Sequence, residues 1–183
     1  MKHDYKILSK RISLRPIEEG DIENLRVLRN ANRQYFLSDN EITAEQQKKW
    51  YAHYLEKKDD IMFVVENRNR PGEFGGAISL YDIDWNTGKC EVGRTVMNKE
   101  VLDFGGVGAE ATAAICAFGF DHLSIKTVIG HCYIDNVRMM KANLKAGMIF
   151  MDDQDPAEDA KNKAENVQYM EMTSQSVNRE IIS

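Results

Sequence analysis

Apolar positions along this 183-residue chain switch between a period of two and a period near 3.6, and the switches lay out its elements. Lys10-Arg11-Ile12-Ser13-Leu14-Arg15-Pro16 alternates in character and ends at a proline, which predicts a first strand. Ile22, Leu25 and Leu28 recur at helical spacing behind Asp21, a candidate N-cap, and predict a first helix. Thr43-Ala44-Glu45-Gln46 has the form of a capping box and opens a second helix through Trp50, Tyr51 and Leu55. Lys57-Lys58-Asp59-Asp60 closes that helix and reads as a solvated loop.

Strands then follow one another. Ile61 to Glu66 is a short apolar run, Phe74 to Ile83 a third strand, and Cys90 to Met97 a fourth, reached through the hairpin turn Asn86-Thr87-Gly88-Lys89. A helical run from Ala109 to Phe118 leads to a fifth strand, Thr127 to Tyr133. Asp135-Asn136 offers a cap for a helix from Val137 to Lys145, which Gly147 ends as a C′ residue. Asp152 to Asn166 is strongly polar and reads as a loop, and Val167 to Thr173 alternates as a final strand. With no repeat, low-complexity tract or linker between them, residues 1–183 read as one α/β domain.

Composition removes several classes of function. Apolar content of 43% with 29% charged residues suits a packed domain rather than a disordered chain. A net charge of -5 argues against nucleic acid as the main partner. No apolar run approaches the roughly 18 residues of a membrane span, and Met1 to Lys6 has no hydrophobic leader, so no membrane partner and a cytoplasmic location are expected. Cys90, Cys116 and Cys132 are odd in number and form no CxxC pair, which predicts neither a disulfide framework nor a metal site.

Candidate chemistry centres on Val101 to Ala111. Gly105, Gly106 and Gly108 stand between a strand and a helix, the order that turns unpaired amides and a positive helix end toward an anion. Glycine leaves no Cβ between those amides and a phosphate. The same glycines also suit an ordinary tight turn.

With these elements in order, the chain resembles a GCN5-related N-acetyltransferase (GNAT) over Arg11 to about Met151. That family carries Arg/Gln-x-x-Gly-x-Gly/Ala at the start of its central helix, and the matching register here is Asp103-Phe104-Gly105-Gly106-Val107-Gly108. It also carries an Asn after the following strand and a Lys-x-Gly-Phe-like segment one helix later, here Asn136 and Lys145-Ala146-Gly147-Met148. Glu91-Val92-Gly93-Arg94, Leu28-Arg29-Asn30 and Glu41-Ile42-Thr43 resemble segments of a bacterial subgroup, several members of which acylate amino sugars or peptide N-termini. The resemblance implies a mixed, mostly antiparallel sheet splayed between the fourth and fifth strands and flanked by helices.

It further implies acetyl-CoA as co-substrate, without metal. The CoA pyrophosphate would lie on amides from Phe104, Gly105, Gly106, Val107 and Gly108, with Ala109 just inside the helix. Thr95, Val96 and Met97 would pair with the pantetheine arm as an added strand does, and an amide near Val96 would polarise the thioester carbonyl. Asn136 would bond the arm or serve as a plain helix cap. Two departures stand out. Asp103 replaces the basic or amide residue and is itself a reasonable helix cap, with Lys99, Arg138 or Lys141 as compensating cations. Met139 and Asn143 stand where many relatives carry a Ser and the Tyr that protonates the leaving thiolate.

An amine arriving as ammonium needs a base. Glu91 is the first candidate, on the strand beside the acetyl group, against a structural role for the same residue. His131, on the partnering strand, is the second; an imidazole's ordinary pKa of about 6.5 suits the task. Arg33, Tyr35, Phe36 and Glu41 fall in the segment that roofs the acceptor site, and Tyr81 and Asp82 lie on the neighbouring strand. Arg94 either binds an acidic substrate group or forms a salt bridge. The acceptor is a small-molecule amine, such as an amino sugar, or a peptide N-terminus, and a homodimer is an allowed assembly. A non-catalytic acyl-CoA-binding domain is the alternative that Asp103, Met139 and Asn143 motivate. An unrelated nucleotide-binding domain is disfavoured because the glycines are not followed by Lys-Ser/Thr.

Overall fold

Every residue of the strand Ile61–Asn67 is buried, so both of its faces must be covered. In the computed structural model, which describes residues 1–36, 38–151 and 166–183, this strand lies inside an eight-stranded sheet. In chain order the strands are β1 (Ile7–Leu8), β2 (Ile12–Pro16), β3 (Ile61–Asn67), β4 (Gly76–Asp84), β5 (Lys89–Met97), β6 (Thr127–Tyr133), β7 (Ile149–Phe150) and β8 (Val167–Thr173). Their spatial order is β1-β2-β3-β4-β5-β6-β8-β7. Neighbours are antiparallel except β5 and β6, which run parallel. The helices are α1 (Ile22–Ala31), α2 (Ala44–Glu56), α3 (Val107–His122) and α4 (Val137–Ala146).

The alternation of β3 divides the core in two. Ile61, Phe63 and Val65 join Ile115 and other α3 residues on one face, whereas Met62 and Val64 meet Leu25 of α1 and Tyr54 of α2 on the other. Helix α3 is buried nearly all round because α4 covers the flank that the sheet does not. β1 and β7 are two residues each, too short to show a period, and went unpredicted for that reason.

Most expected punctuation is present. Thr43 and Gln46 form the capping box, with Gln46 N–H donating to Thr43 Oγ1 at 3.2 Å and Thr43 N–H to Gln46 Oε1 at 2.8 Å. Asp21 differs from expectation. Its carboxylate turns back to the Glu18 N–H (2.8 Å) and to Arg15 (2.7 and 2.8 Å), and makes no cap bond to α1. Asp60 differs too: it is 1% exposed and pairs with Arg94 at 2.6 Å, so the charge cluster after α2 is partly a buried anchor. The polar stretch from Asp152 lies outside the described residues as far as residue 165.

Gly147 ends α4 at φ +108, and a Cβ there would lie 2.0 Å from the Ser176 carbonyl oxygen. Gly147→Ala should therefore destabilise the fold by about 1–2 kcal/mol for the dihedral and a comparable amount for overpacking. Urea unfolding checks this, and an unchanged midpoint would show that the 173–178 segment yields freely.

Candidate functional site

The site begins where two strands part. β5 and β6 pair from Lys89↔Thr127 to Val92↔Gly130 and no further, leaving Gly93–Met97 and His131–Tyr133 unpaired toward each other. The cause lies on the other side of β5. Ser79 of β4 pairs with Gly93 and Ala77 with Val96, so β5 uses one residue more than β4 over that interval. Such a bulge bends its strand. Arg94 sits in it at φ +53, a conformation costly for a non-glycine residue. Its side chain is anchored by Asp60 (2.6 Å) and stacks 4.2 Å over the Tyr81 ring, which holds the bend in place.

Below the split, α3 starts at Val107 with Gly106 as N-cap at φ +84 and no side chain capping it. Its first amides are thus left for an outside acceptor. Asp103, expected as a cap, is exposed and lies upstream of the helix start. Two cations converge on the bare side of Gly106: a Cβ there would be 3.6 Å from Arg11 Nη2 and 3.7 Å from Lys145 Nζ. Glu110, fully buried, fixes Arg11 by accepting from Nε (2.8 Å) and from the Arg11 amide (2.7 Å), while Arg11 Nη1 donates to the Gly105 carbonyl (2.9 Å). Sequence reasoning assigned Arg11 to a strand and missed this role. The available signal was Glu110, a carboxylate alone in the apolar face of α3, which needs a cation.

A groove runs from this point to the split. Thr95, Val96 and Met97 line one side, Phe104, Gly106, Val107, Gly108 and Ala109 the floor, and Asn136 and Lys141 the other side. Lys99 and Arg138 also line it, whereas Gly105 contributes only its carbonyl to Arg11. Asn136 acts as the cap of α4, its Oδ1 accepting from the Met139 amide at 3.1 Å, while still bordering the groove.

An adjoining cavity opens at the split itself. His131, Tyr81, Arg94, Tyr35 and Phe36 line it, together with Met139 and Asn143. Glu91 stands behind the lining, with Oε2 at 3.4 Å from His131 Nδ1, an ion-pair distance without a well-formed hydrogen bond. The His131 ring holds the Glu91 carboxyl below its ordinary value against the opposing effect of burial, and Tyr81 acts in the same direction. Burial, with the Glu91 charge adding to it, pushes the Tyr81 phenol up. Arg33, Glu41 and Asp82 are exposed and do not line the cavity, so three expected acceptor residues are not gathered with the rest. Thr95 Oγ1, Thr112 Oγ1 and Asn143 Oδ1 belong to residues that line the cavity and are buried without partners among the described residues, so they are available to a polar group entering it.

A split parallel pair above an uncapped, glycine-led helix start is the geometry of this α/β domain. The family model described as an acetyltransferase (GNAT) domain matches residues 11–149, and the chain belongs to that family. Among solved structures, spermidine N-acetyltransferase from Vibrio cholerae in complex with CoA and spermine is similar at 16% identity, with a TM-score of 0.75 over 91% of this chain and 97% of that one. Apo FdhC, a nucleotide-linked sugar GNAT, gives 17% identity and 0.76 over 95% and 93%. A GCN5-related N-acetyltransferase from Brucella melitensis gives 15% and 0.72 over 96% and 81%. At such identities these structures support the fold alone. No curated protein matches the chain. Among the described residues no helix is long and apolar enough to cross a membrane, and no His/Cys/Asp/Glu group could hold a metal ion.

Proposed function

We propose that this chain is an acetyl-CoA-dependent N-acetyltransferase that acylates a primary amine, of a small molecule or a peptide N-terminus, by direct attack. The observation that carries the reading is the groove joining the Gly106 helix start to the split where His131 stands. Acetyl-CoA supplies an acetyl group activated as a thioester. Amides at the start of α3, with Arg11 and Lys145, hold phosphate oxygens by charge-assisted bonds. The unpaired edge Gly93–Met97 binds pantetheine amides, and an amide near Val96 stabilises the developing oxyanion.

His131 takes the proton from the attacking ammonium, and Glu91 at its Nδ1 orients the ring and leaves Nε2 for the substrate. This assigns the base to the second of the two candidates and makes the first a positioning residue. The thiolate leaves without a tyrosine, which is tolerable because a thiol of pKa about 8.5 is a good leaving group. Met139 and Asn143 in the cavity wall favour a second reading, a non-catalytic acyl-CoA-binding domain. Thiol release from acetyl-CoA across an amine panel separates the two: release with any amine supports the enzyme, and CoA binding without release supports the binding domain.

Lys145→Gln should weaken CoA binding about tenfold, the scale of one hydrogen bond to a charged group. The loss should shrink at high salt, since Lys145 has no ion-pair partner among the described residues and its charge is screened like any surface charge. Calorimetric titration at two ionic strengths checks it, and equal affinity at both would remove Lys145 from the cradle.

A further inference from the structure

The cavity at the split is lined by three basic side chains, Arg29, Arg94 and His131, and by no Asp or Glu among the described residues. Two of the three have their own counter-charge: Asp60 lies 2.6 Å from Arg94, and Glu91 stands behind His131. Arg29 has none. It projects from α1, where Nη2 donates to the Ser38 carbonyl (3.2 Å) and the guanidinium lies 3.3 Å over the Phe36 ring. Nη1 is sealed from solvent with no acceptor among the described residues. Burial alone acts on its titration, pulling it down to about 10, with no neighbouring charge opposing the pull.

A guanidinium keeps its proton in a protein, so Arg29 cannot escape this cost by neutralising. A desolvated charge with an unfilled donor is expensive, and proteins usually compensate it with a carboxylate. Here the stacking on Phe36 and the bond to Ser38 instead hold the planar fork in a fixed pose beside an open cavity. That is the arrangement by which arginine recognises carboxylate or phosphate groups.

Resting on the acetyltransferase reading above, we infer that the amine acceptor also carries an anionic group, a carboxylate or a phosphate, that docks against Arg29. The amine then points toward His131, which lines the same cavity. A polyamine has only cationic groups to offer and meets repulsion from Arg29, with no lining carboxylate among the described residues to hold it. The substrate class is thereby distinct from the spermine bound by the Vibrio cholerae relative.

Matched amines test this and separate the two anion sources. An α-amino acid is compared with its decarboxylated amine, and an amino-sugar phosphate with the free amino sugar, with spermidine as the cationic extreme. Thiol release is followed for wild type and R29Q. Wild type should prefer the anionic member of one pair by roughly ten- to a hundredfold in kcat/KM, the scale of one or two charge-assisted bonds, mainly through KM. R29Q should bring that ratio close to one. The pair that responds identifies carboxylate or phosphate. Equal rates within both pairs, or a preference for spermidine, would overturn the inference and leave the acetyltransferase reading intact.

Failure to acetylate any amine would count against that reading instead, and the anion site is then judged by binding. Inorganic phosphate and succinate are titrated into the CoA-loaded protein and followed by NMR. Saturable shifts that R29Q abolishes support the site, and no saturation by either anion overturns it. Urea unfolding of R29Q confirms that the comparison is made on a folded protein.

Discussion

Gly106→Val should abolish measurable CoA binding, a loss of at least about a hundredfold if two charge-assisted contacts go together. The residue caps α3 at φ +84, where a branched side chain is strained by about 1–2 kcal/mol or more. Its Cβ would also enter the space that Arg11 Nη2 and Lys145 Nζ face at 3.6 and 3.7 Å. The variant therefore tilts the first amides of α3 and fills the anion's place at once. Gly108 is a different case. A Cβ there meets only the Ala142 Cβ at 3.5 Å, an ordinary contact, so Gly108→Ala should keep most of the affinity while larger side chains collide with α4. Titration calorimetry with CoA measures both, and tight binding by Gly106→Val would place the phosphates elsewhere.

The second large effect is expected at the base. His131→Ala should lower kcat by roughly 10²–10⁴, the usual contribution of a positioned base, with CoA affinity unaltered. Glu91→Gln should cost less, because it removes the orienting charge and not the proton acceptor. Its rate profile should keep an acid limb. Were Glu91 itself the base, the Gln variant would match the Ala variant in damage and lose that limb. The stability of Glu91 has its own signature. A carboxyl held below its ordinary value contributes above that value, near pH 4.3, and the contribution is lost as pH falls through the lower folded value. Glu91→Gln should therefore reduce the acid sensitivity of unfolding in that window. Equal loss of stability on acidification in both proteins would mean the His131 contact adds nothing to the fold.

Local signals carried much of the architecture. The Thr43–Gln46 capping box, the Gly88 turn and the Gly147 helix stop are contacts between residues close in sequence, and each is where its pattern put it. Asp21 and Asp60 show where such signals lose. Both are charges in conventional cap or loop settings, yet Arg15 and Arg94 reach them from other elements and win because a buried ion pair outweighs a surface cap. The arginine beside the Gly106 helix start was hidden for the same reason. Arg11 lies 99 positions from Glu110, and only the packing of β2 against α3 brings them together.

By itself, the order of alternating and helical runs determined six of the eight described strands, the four α-helices and the glycine start of α3, because each depends on backbone preferences within a few residues. It also singled out Glu91 and His131 as chemistry-bearing, but as rivals. Tertiary structure decided that they stand 3.4 Å apart beside the split, that Arg94 pairs with Asp60, and that Arg29 has no counter-charge among the described residues. Those outcomes rest on distances between strands and helices far apart in the chain. Electrostatic pairing and burial follow such distances, and no period in the sequence records them.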